Sequence, residues 1–230
     1  MNTTLQTNLS DASVASDGRQ IHLGARALLK LLCLIVLAAG FTGCSFLKPA
    51  KSTARHYVLT PIAGTQAGSG SLAVGLGQVK LPAYLFNTSL AVRNGTNEIE
   101  YLTSAIWAER LDTGLQRVLA ANLATLLPAN QIRLSTWQNG DVAAEVHVAI
   151  ERFDVDAGGQ GVLVGSWRVL SPGGEKTLKA GTSRFTRPGR APGTDPSGAV
   201  ATLSELAADL SRQVAQAVQE TTASSSGGRL

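Results

Sequence analysis

Residues 142–155, with the sequence VAAEVHVAIERFDV, decide the type of fold. Apolar residues occupy every second position from Val142 to Ile150, and the positions between them hold two alanines, a glutamate and a histidine. A period of two is that of a strand with one buried face. In the last part of the segment the apolar positions change phase. Because a slip of one residue would turn the apolar set to water, this change predicts a β-bulge near Glu151-Arg152.

Seven other segments have the composition of short strands separated by turn residues. The Asn94-Gly95 dipeptide favours positive φ and predicts a hairpin between two of them. Further turns are expected at 156–160 and 171–174. The predicted strands are 56–60, 72–79, 89–93, 97–102, 131–136, 162–170 and 177–186.

Two segments have the period of an amphipathic helix instead. Between residues 106 and 127 apolar residues recur every three or four positions, starting with Trp107. Ser104 is expected to cap this helix and Pro128 to end it. Residues 200–218 repeat the pattern and predict a second helix.

The predicted order of elements is therefore β-β-β-β-α-β-β-β-β-α. It indicates an α+β fold, with a largely antiparallel sheet and two amphipathic helices packed on one face. The composition agrees with a packed domain, since 44% of residues are hydrophobic, 16% are charged and the net charge is +4. These values exclude collagen-like and disordered chains.

The N-terminal part has the pattern of a secretory signal. Arg26 and Lys30 flank the apolar run 31–39, which is too short to span a bilayer comfortably. The residues that follow, Phe41-Thr42-Gly43-Cys44, resemble the lipobox of bacterial lipoproteins. In those proteins the leader is cut before the cysteine, and the cysteine is lipidated. The alternative is an N-terminal signal anchor that is never cleaved.

Several expectations follow from lipidation at Cys44. By the same resemblance, Ser45 favours transport to the outer membrane. Cys33 would leave with the leader, so the mature chain would have no disulfide. Residues 1–24 are unlike a leader, which suggests a translation start near Leu23. The expected organisation is an N-terminal extension and signal peptide at 1–43, a lipidated cysteine and tether at 44–55, one domain at 56–220 and a flexible tail at 221–230.

The sequence offers little material for catalysis. No Gly-rich phosphate loop and no nucleophile elbow occur in it. His56 and His147 are far apart, and His147 is predicted to be a half-exposed strand residue. Asp154 and Asp156 are predicted to lie in a solvated turn rather than to act as acid and base. We therefore expect no enzyme activity, no metal and no cofactor.

Other candidate residues are aromatic or basic. Aromatic side chains at four positions are expected to anchor the core or a partner surface: Tyr57, Tyr84, Trp107 and Trp167. A basic cluster could contact anionic lipid headgroups, with a solvated loop as the alternative: Arg184, Arg187 and Arg190. Nucleic acid is not an expected partner of an exported domain, although the isoelectric point is about 9.3.

A series of short motifs follows the cysteine in a defined order. The motifs are His56-Tyr57-Val58-Leu59, Leu81-Pro82-Ala83-Tyr84-Leu85, Arg93 with Glu98-Ile99-Glu100-Tyr101, Trp107-Ala108-Glu109-Arg110-Leu111, residues 148–153, Gly165-Ser166-Trp167 and Phe185. Over about residues 44–220, this order resembles the ABC-type transport auxiliary lipoprotein (PqiC-like) family. His56 departs from the second aromatic residue that the family often has before the tyrosine.

The resemblance implies an outer-membrane lipoprotein that faces the periplasm. It implies an accessory role with an MCE-domain protein, which forms a hydrophobic conduit for phospholipids, and it is compatible with self-association into a homo-oligomeric ring. Another hypothesis is an outer-membrane lipoprotein that binds and activates a cell-wall synthesis enzyme. Such a protein is expected to have a longer tether than residues 44–55. A periplasmic hydrolase is the third hypothesis, for which the sequence offers no candidate residues.

Overall fold

A computed structural model of the chain describes residues 28–32, 34, 53–64, 72–138 and 140–227. The chain divides into two compact units, residues 1–51 and 52–230. In the first unit, the described residues 28–32 and 34 are helical and exposed. Most of the predicted signal sequence lies outside the described residues, and so does Cys44.

The second unit contains eight strands, a short 3-10 helix and two α-helices in its described part. This order is the one that the sequence predicts. The elements are β1 (Arg55–Tyr57), β2 (Leu72–Leu76), the 3-10 helix (Ala83–Phe86), β3 (Ser89–Asn94), β4 (Glu98–Trp107), α1 (Leu111–Leu126), β5 (Ala129–Leu134), β6 (Ala144–Asp156), β7 (Gly161–Leu170), β8 (Thr177–Arg187) and α2 (Pro196–Gly227).

All eight strands form one mixed sheet around β6. Along one edge, β6 pairs with β7 in antiparallel fashion, and β7 pairs with β8. Along the other edge, β2 lies parallel to the start of β6 and β3 lies parallel to its end. The sheet continues from β2 to β5, and from β3 through β4 to β1.

The α+β class is confirmed, but the sheet is less uniformly antiparallel than expected. The three antiparallel pairs contain most of the paired residues, and the four other pairs of described strands are parallel. The parallel β2–β5 pair uses α1 as part of its connection, as parallel strands need a long connection. Strand composition predicts hairpins well, but it does not reveal which distant strands become neighbours.

The predicted bulge is confirmed, because the β6–β7 register shifts between Ile150 and Arg152. As a result, the positions on both sides of the bulge face the same core: before it Ala144, Val146, Val148 and Ile150, and after it Phe153 and Val155. The hairpin at Asn94-Gly95 is also confirmed, and Gly95 has φ +73°.

The first helix begins later than its apolar pattern predicts. Trp107 is the last residue of β4, where it pairs with Tyr57 of β1, and its N–H donates to the carbonyl of Thr88. Ser104 lies within β4 and is not a helix cap. The apolar residues Trp107 and Leu111 have helical spacing only because a strand end and a helix start are four residues apart. The helix ends at Leu126, as expected from the proline that follows.

The second helix is longer than predicted and continues through Gly227, into the segment expected to be a tail. Its N-terminus is capped by Asp195, whose Oδ1 accepts the N–H of Gly198 at 2.9 Å, and Pro196 occupies the first position. The two helices contact each other through a hydrogen bond of 2.9 Å from Asn122 to Ser211. The helix α2 packs on β6, β7 and β8, and α1 packs on β5, around one apolar core.

Among the residues that the structure describes, no helix has both the length and the apolar character needed to cross a bilayer.

Candidate functional site

The 3-10 helix places the motif around Tyr84 between the core and the surface. The N–H of Leu85 donates to the carbonyl of Pro82 at 3.0 Å, which closes the turn. Leu85 is buried in the core, whereas Phe86 is 51% exposed. Tyr84 is partly buried, and its carbonyl accepts a hydrogen bond of 3.0 Å from the hydroxyl of Tyr101.

A buried carboxylate holds Tyr84 in place. Asp154 is completely buried, and its Oδ2 accepts hydrogen bonds of 2.9 Å from both the Tyr84 hydroxyl and Nη2 of Arg93. Its Oδ1 accepts a third bond of 2.9 Å from Nε of Arg152. The Arg93 guanidinium also lies 5.8 Å from the centre of the Tyr84 ring, within the range of a cation–π contact. We call Tyr84, Arg93, Arg152 and Asp154 the Asp154 cluster.

The contacts within the cluster raise the pKa values of two of its members. Burial, followed by the charge of Asp154, raises the pKa of Tyr84 to about 12. The hydrogen bond to Asp154 raises the pKa of Arg93 above its usual range. Two guanidinium groups thus surround one carboxylate, and the tyrosine stays protonated. This arrangement ties the 3-10 helix to the end of β6.

A groove of about 520 Å³ adjoins the 3-10 helix. It lies between Phe86 at the end of this helix and Leu111 at the start of α1, and Trp107 forms part of its lining. Trp107 is only 8% exposed, so it contributes a wall rather than a protruding side chain. The Arg110 guanidinium lies 5.5 Å from the centre of the Phe86 ring. We call this feature the Phe86–Trp107 groove.

Residues in or next to the segments that line the groove include an exposed apolar side chain and a charged pair. Val58 is 47% exposed and follows Tyr57, whose carbonyl accepts the N–H of Ala108 at 2.9 Å. Arg110 binds the carboxylate of Asp112 through two hydrogen bonds, of 2.8 and 3.1 Å, and this contact lowers the pKa of Asp112. An exposed phenyl ring beside a fixed guanidinium can bind an apolar side chain that carries a neighbouring acceptor.

The sequence model of the ABC-type transport auxiliary lipoprotein component matches residues 57–215. The chain belongs to this family. The match begins at Tyr57 of β1 and ends within α2, so it includes both the Asp154 cluster and the Phe86–Trp107 groove.

Relatives of known name agree with this family. The intermembrane transport lipoprotein PqiC of Escherichia coli (strain K12) is 26% identical over 145 residues, which cover 60% of this chain and 73% of PqiC. PqiC of Shigella flexneri matches with the same values. A crystal structure of a protein from Xanthomonas campestris has a TM-score of 0.61 at 14% identity, covering 76% of this chain and 99% of that protein. This last similarity concerns the fold alone.

The four predicted aromatic anchors all pack in or against the core. Trp107 and Trp167 are buried, and Tyr57 and Tyr84 are partly buried. The indole N–H of Trp167 donates to the hydroxyl of Ser183 at 3.0 Å, and this hydroxyl contacts Gln213 of α2. Trp107 and Tyr84 come close to an exposed surface, whereas Trp167 links β7 and β8 to α2.

The three predicted basic residues do not form one cluster. Arg187 binds Asp209 of α2 through two hydrogen bonds, of 2.7 and 2.8 Å. Arg190 lies in the following loop, 3.9 Å from Asp195. Arg184 lies opposite Val164 of β7, and side chains alternate along β8, so it faces away from the side on which Arg187 meets α2. Contact of these residues with lipid headgroups stays a prediction.

Sequence reasoning missed the buried role of Asp154. The prediction of a solvated turn is wrong for this residue, because β6 continues to Asp156. Asp156 does lie at the turn, where its Oδ1 accepts the N–H of Gln160 at 2.8 Å. Beyond the bulge, Arg152 and Asp154 are two positions apart and therefore share a face. That spacing could have indicated the contact between Arg152 and Asp154. Nothing in the sequence indicated that Arg93 of β3 would also bind Asp154.

Histidine and acidic residues elsewhere are dispersed. His147 has a side chain that is 38% exposed, and its Nε2 lies 3.5 Å from Oε2 of Glu145. Within the described ranges, no three His, Cys, Asp or Glu side chains are placed to hold a metal ion.

Proposed function

We propose that this protein is the lipid-anchored accessory subunit of an MCE-type intermembrane phospholipid transport system, and that it docks the conduit at the outer membrane. The observation that carries the proposal is the family match over residues 57–215. The similarity to PqiC, an intermembrane transport lipoprotein, supports the same class of system. The lipid anchor would be Cys44, by its resemblance to a lipobox.

The buried charges support a binding role rather than catalysis. The carboxylate of Asp154 is engaged by two guanidinium groups and a tyrosine. A general base needs a free lone pair within reach of a substrate proton. The Asp154 cluster instead stabilises the 3-10 helix, which carries the exposed ring of Phe86.

The Phe86–Trp107 groove would receive an apolar side chain of the MCE-domain partner. The groove combines an exposed phenyl ring, a buried indole wall and the guanidinium of Arg110. Aromatic and arginine side chains contribute much of the binding energy at protein interfaces. The exposed Val58 follows Tyr57 of β1, whose carbonyl bonds to Ala108 of the groove lining, and β1 comes directly after the tether. A short tether would hold this surface close to the membrane and raise its effective concentration for a conduit arriving there.

Purification of the lipidated protein from native membranes tests the proposal. We expect an MCE-domain protein to copurify, and Phe86→Ser to reduce its recovery at least tenfold, because truncation of an interface anchor costs about 2 kcal/mol or more. Leu134→Ser is the matched control, since Leu134 is also an exposed apolar residue, 43% exposed, but lies on β5.

Other outcomes of the same purification distinguish the alternatives. Recovery of a cell-wall synthesis enzyme in place of an MCE-domain protein would favour the activator hypothesis. Equal loss with Phe86→Ser and Leu134→Ser would remove the Phe86–Trp107 groove as the contact surface. A native molecular mass that accounts for only one copy of this chain would contradict self-association into a ring.

A further inference from the structure

The sheet presents a face that carries several basic side chains. Lys80 forms a bridge to Ala149 of β6, and Ala149 pairs in turn with Ser166 of β7. In the next row, His147 pairs with Arg168. These residues alternate with the buried positions that face the core, so they lie on the opposite side of the sheet from α2.

The geometry of these two rows creates a recess. Ala149 and Ser166 are small, and the longer side chains of Lys80 and Arg168 stand diagonally on either side of them. A groove of about 240 Å³ occupies this place, and Gln78 also contributes to its lining. We call it the Lys80–Arg168 groove.

The cations of this groove differ from most others in the domain. Among the described residues, Lys80 and Arg168 form no ion pair, and neither does Arg184 two rows along the same face. By contrast, Arg187 is held by a carboxylate of α2. Of the five exposed Lys and Arg residues of the described domain that form no ion pair, these three thus lie on the face that neither α1 nor α2 covers, and the other two are Arg55 and Lys176.

Two acidic residues of β6, Glu145 and Glu151, flank this part of the face. Glu151 is exposed and lies outside the lining of the groove, and Glu145 is turned to other partners. Glu145 is 7% exposed, and its Oε1 accepts the N–H of Gly173 at 3.0 Å. Its Oε2 lies 3.5 Å from Nε2 of His147, an enclosed nitrogen without a hydrogen bond. The imidazole ring therefore stands between Glu145 and the groove. The lining of the groove contains two long cations and the polar side chains of Gln78 and Ser166.

We propose that the Lys80–Arg168 groove binds the phosphate of an anionic phospholipid headgroup. A phosphodiester presents acceptor oxygens and negative charge, which match a guanidinium, an ammonium, a hydroxyl and an amide. The open floor of Ala149 and Ser166 leaves room for the phosphate between the two cations. This inference rests on the proposed function, in which phospholipid headgroups reach the protein at a membrane surface.

The test uses the full lipidated chain in a neutral detergent and water-soluble headgroups without acyl chains. Glycerophosphoglycerol, glycerophosphocholine and inorganic phosphate are titrated separately by calorimetry. We expect saturable binding of glycerophosphoglycerol, and weaker binding of the other two. Lys80→Gln and Arg168→Gln should each weaken it about fivefold, since a basic residue near an anionic headgroup contributes about 1 kcal/mol. The double variant should lose more than tenfold.

Arg55→Gln is the matched control, because Arg55 is also exposed and forms no ion pair among the described residues, but lies on β1 at the far edge of the sheet. It should change the affinity less than twofold. Equal losses with Arg55→Gln and Arg168→Gln would show charge attraction without a site and overturn the inference. So would equal affinity for inorganic phosphate, which would indicate a free-phosphate site, or no saturable binding of glycerophosphoglycerol.

The same variants separate this inference from the proposed function. Copurification of an MCE-domain protein with the wild-type chain, together with no headgroup binding, would overturn the headgroup site alone. Headgroup binding that depends on Lys80 and Arg168, without any MCE-domain partner, would overturn the proposed transport complex and leave the site in place.

Discussion

Asp154 illustrates how a single residue can matter more for the fold than its sequence context suggests. Its carboxylate is fully buried and receives hydrogen bonds from Tyr84, Arg93 and Arg152. A buried ion pair contributes little relative to an apolar replacement, but removal of one partner leaves the other charges uncompensated. The side chains of Arg93 and Arg152 are 17% and 26% exposed, so water can compensate their charges only in part.

Asp154→Asn is therefore expected to lower the free energy of unfolding by about 3–5 kcal/mol. The amide keeps the shape of the side chain but removes the charge that balances the two arginines. Urea unfolding measures the change. Glu151→Gln is the control, because Glu151 is an exposed residue of the same strand and its neutralisation should cost less than about 0.5 kcal/mol. Similar values for both variants would mean that Asp154 is not a buried charge.

Tyr84 gives the cluster a dependence on alkaline pH. Its pKa is raised from 10.0 to about 12 in the folded protein, so the unfolded chain releases the proton first as the pH rises. The stabilisation from the protonated hydroxyl is complete below pH 10.0 and is lost as the pH rises towards about 12. We expect the difference in unfolding free energy between the wild type and Tyr84→Phe to shrink over this range. A constant difference in urea unfolding from pH 9 to 11.5 would contradict the shift.

At the scale of elements, β6 organises the sheet and its bulge keeps the strand in phase. Before the bulge Ile150 faces the core, and after it Phe153 does so, while Glu151 and Arg152 lie between them. One residue more than the alternation requires is thus accommodated without turning any apolar side chain outward. The same strand contacts β2 and β3 on its other edge, so its phase affects both halves of the sheet.

Deletion of Glu151 is expected to be tolerated, with a loss of about 1 kcal/mol, because it removes the extra residue and restores simple alternation. Deletion of Ala149 is the contrasting variant. It should cost more than about 3 kcal/mol, because realignment would place Glu151 at an inward position. Thermal and urea unfolding measure both. Equal destabilisation by the two deletions would mean that the phase of β6 does not depend on the bulge.

At the scale of the whole molecule, the proposed function divides between the folded domain and the predicted anchor. The described part of residues 52–230 forms a single core between the sheet and two helices. The anchor would attach this body to a membrane by acyl chains, of which several are needed for stable attachment. The Phe86–Trp107 groove and the Lys80–Arg168 groove have different linings in the same domain, and we propose a protein partner for the first and lipid headgroups for the second.

Cys44→Ala is expected to abolish lipidation and to remove the protein from the outer-membrane fraction. Cys33→Ala is the matched control, because Cys33 lies in the predicted leader and should leave the fractionation unchanged. Membrane fractionation with mass spectrometry of the mature N-terminus measures both outcomes. Normal fractionation of Cys44→Ala, or a free thiol at Cys44 in the mature protein, would contradict the anchor.

The order of the elements, the Asn94-Gly95 hairpin and the bulge in β6 can all be predicted from the amino-acid sequence. Each of these depends on the spacing of neighbouring residues, because side chains repeat every two positions in a strand and every 3.6 in a helix. The end of α1 before Pro128 follows from the same local rules.

The contacts between distant segments, by contrast, depend on how the whole chain packs. The parallel pairs of β6 with β2 and β3, the strand position of Trp107, and the partnership of Arg93 with Asp154 all join residues far apart in the chain. Many pairings satisfy the same local pattern, and the packing of all elements around one core selects among them. A buried charge such as Asp154 is stable only where its partners arrive from another strand, so its own neighbours in sequence could not reveal it.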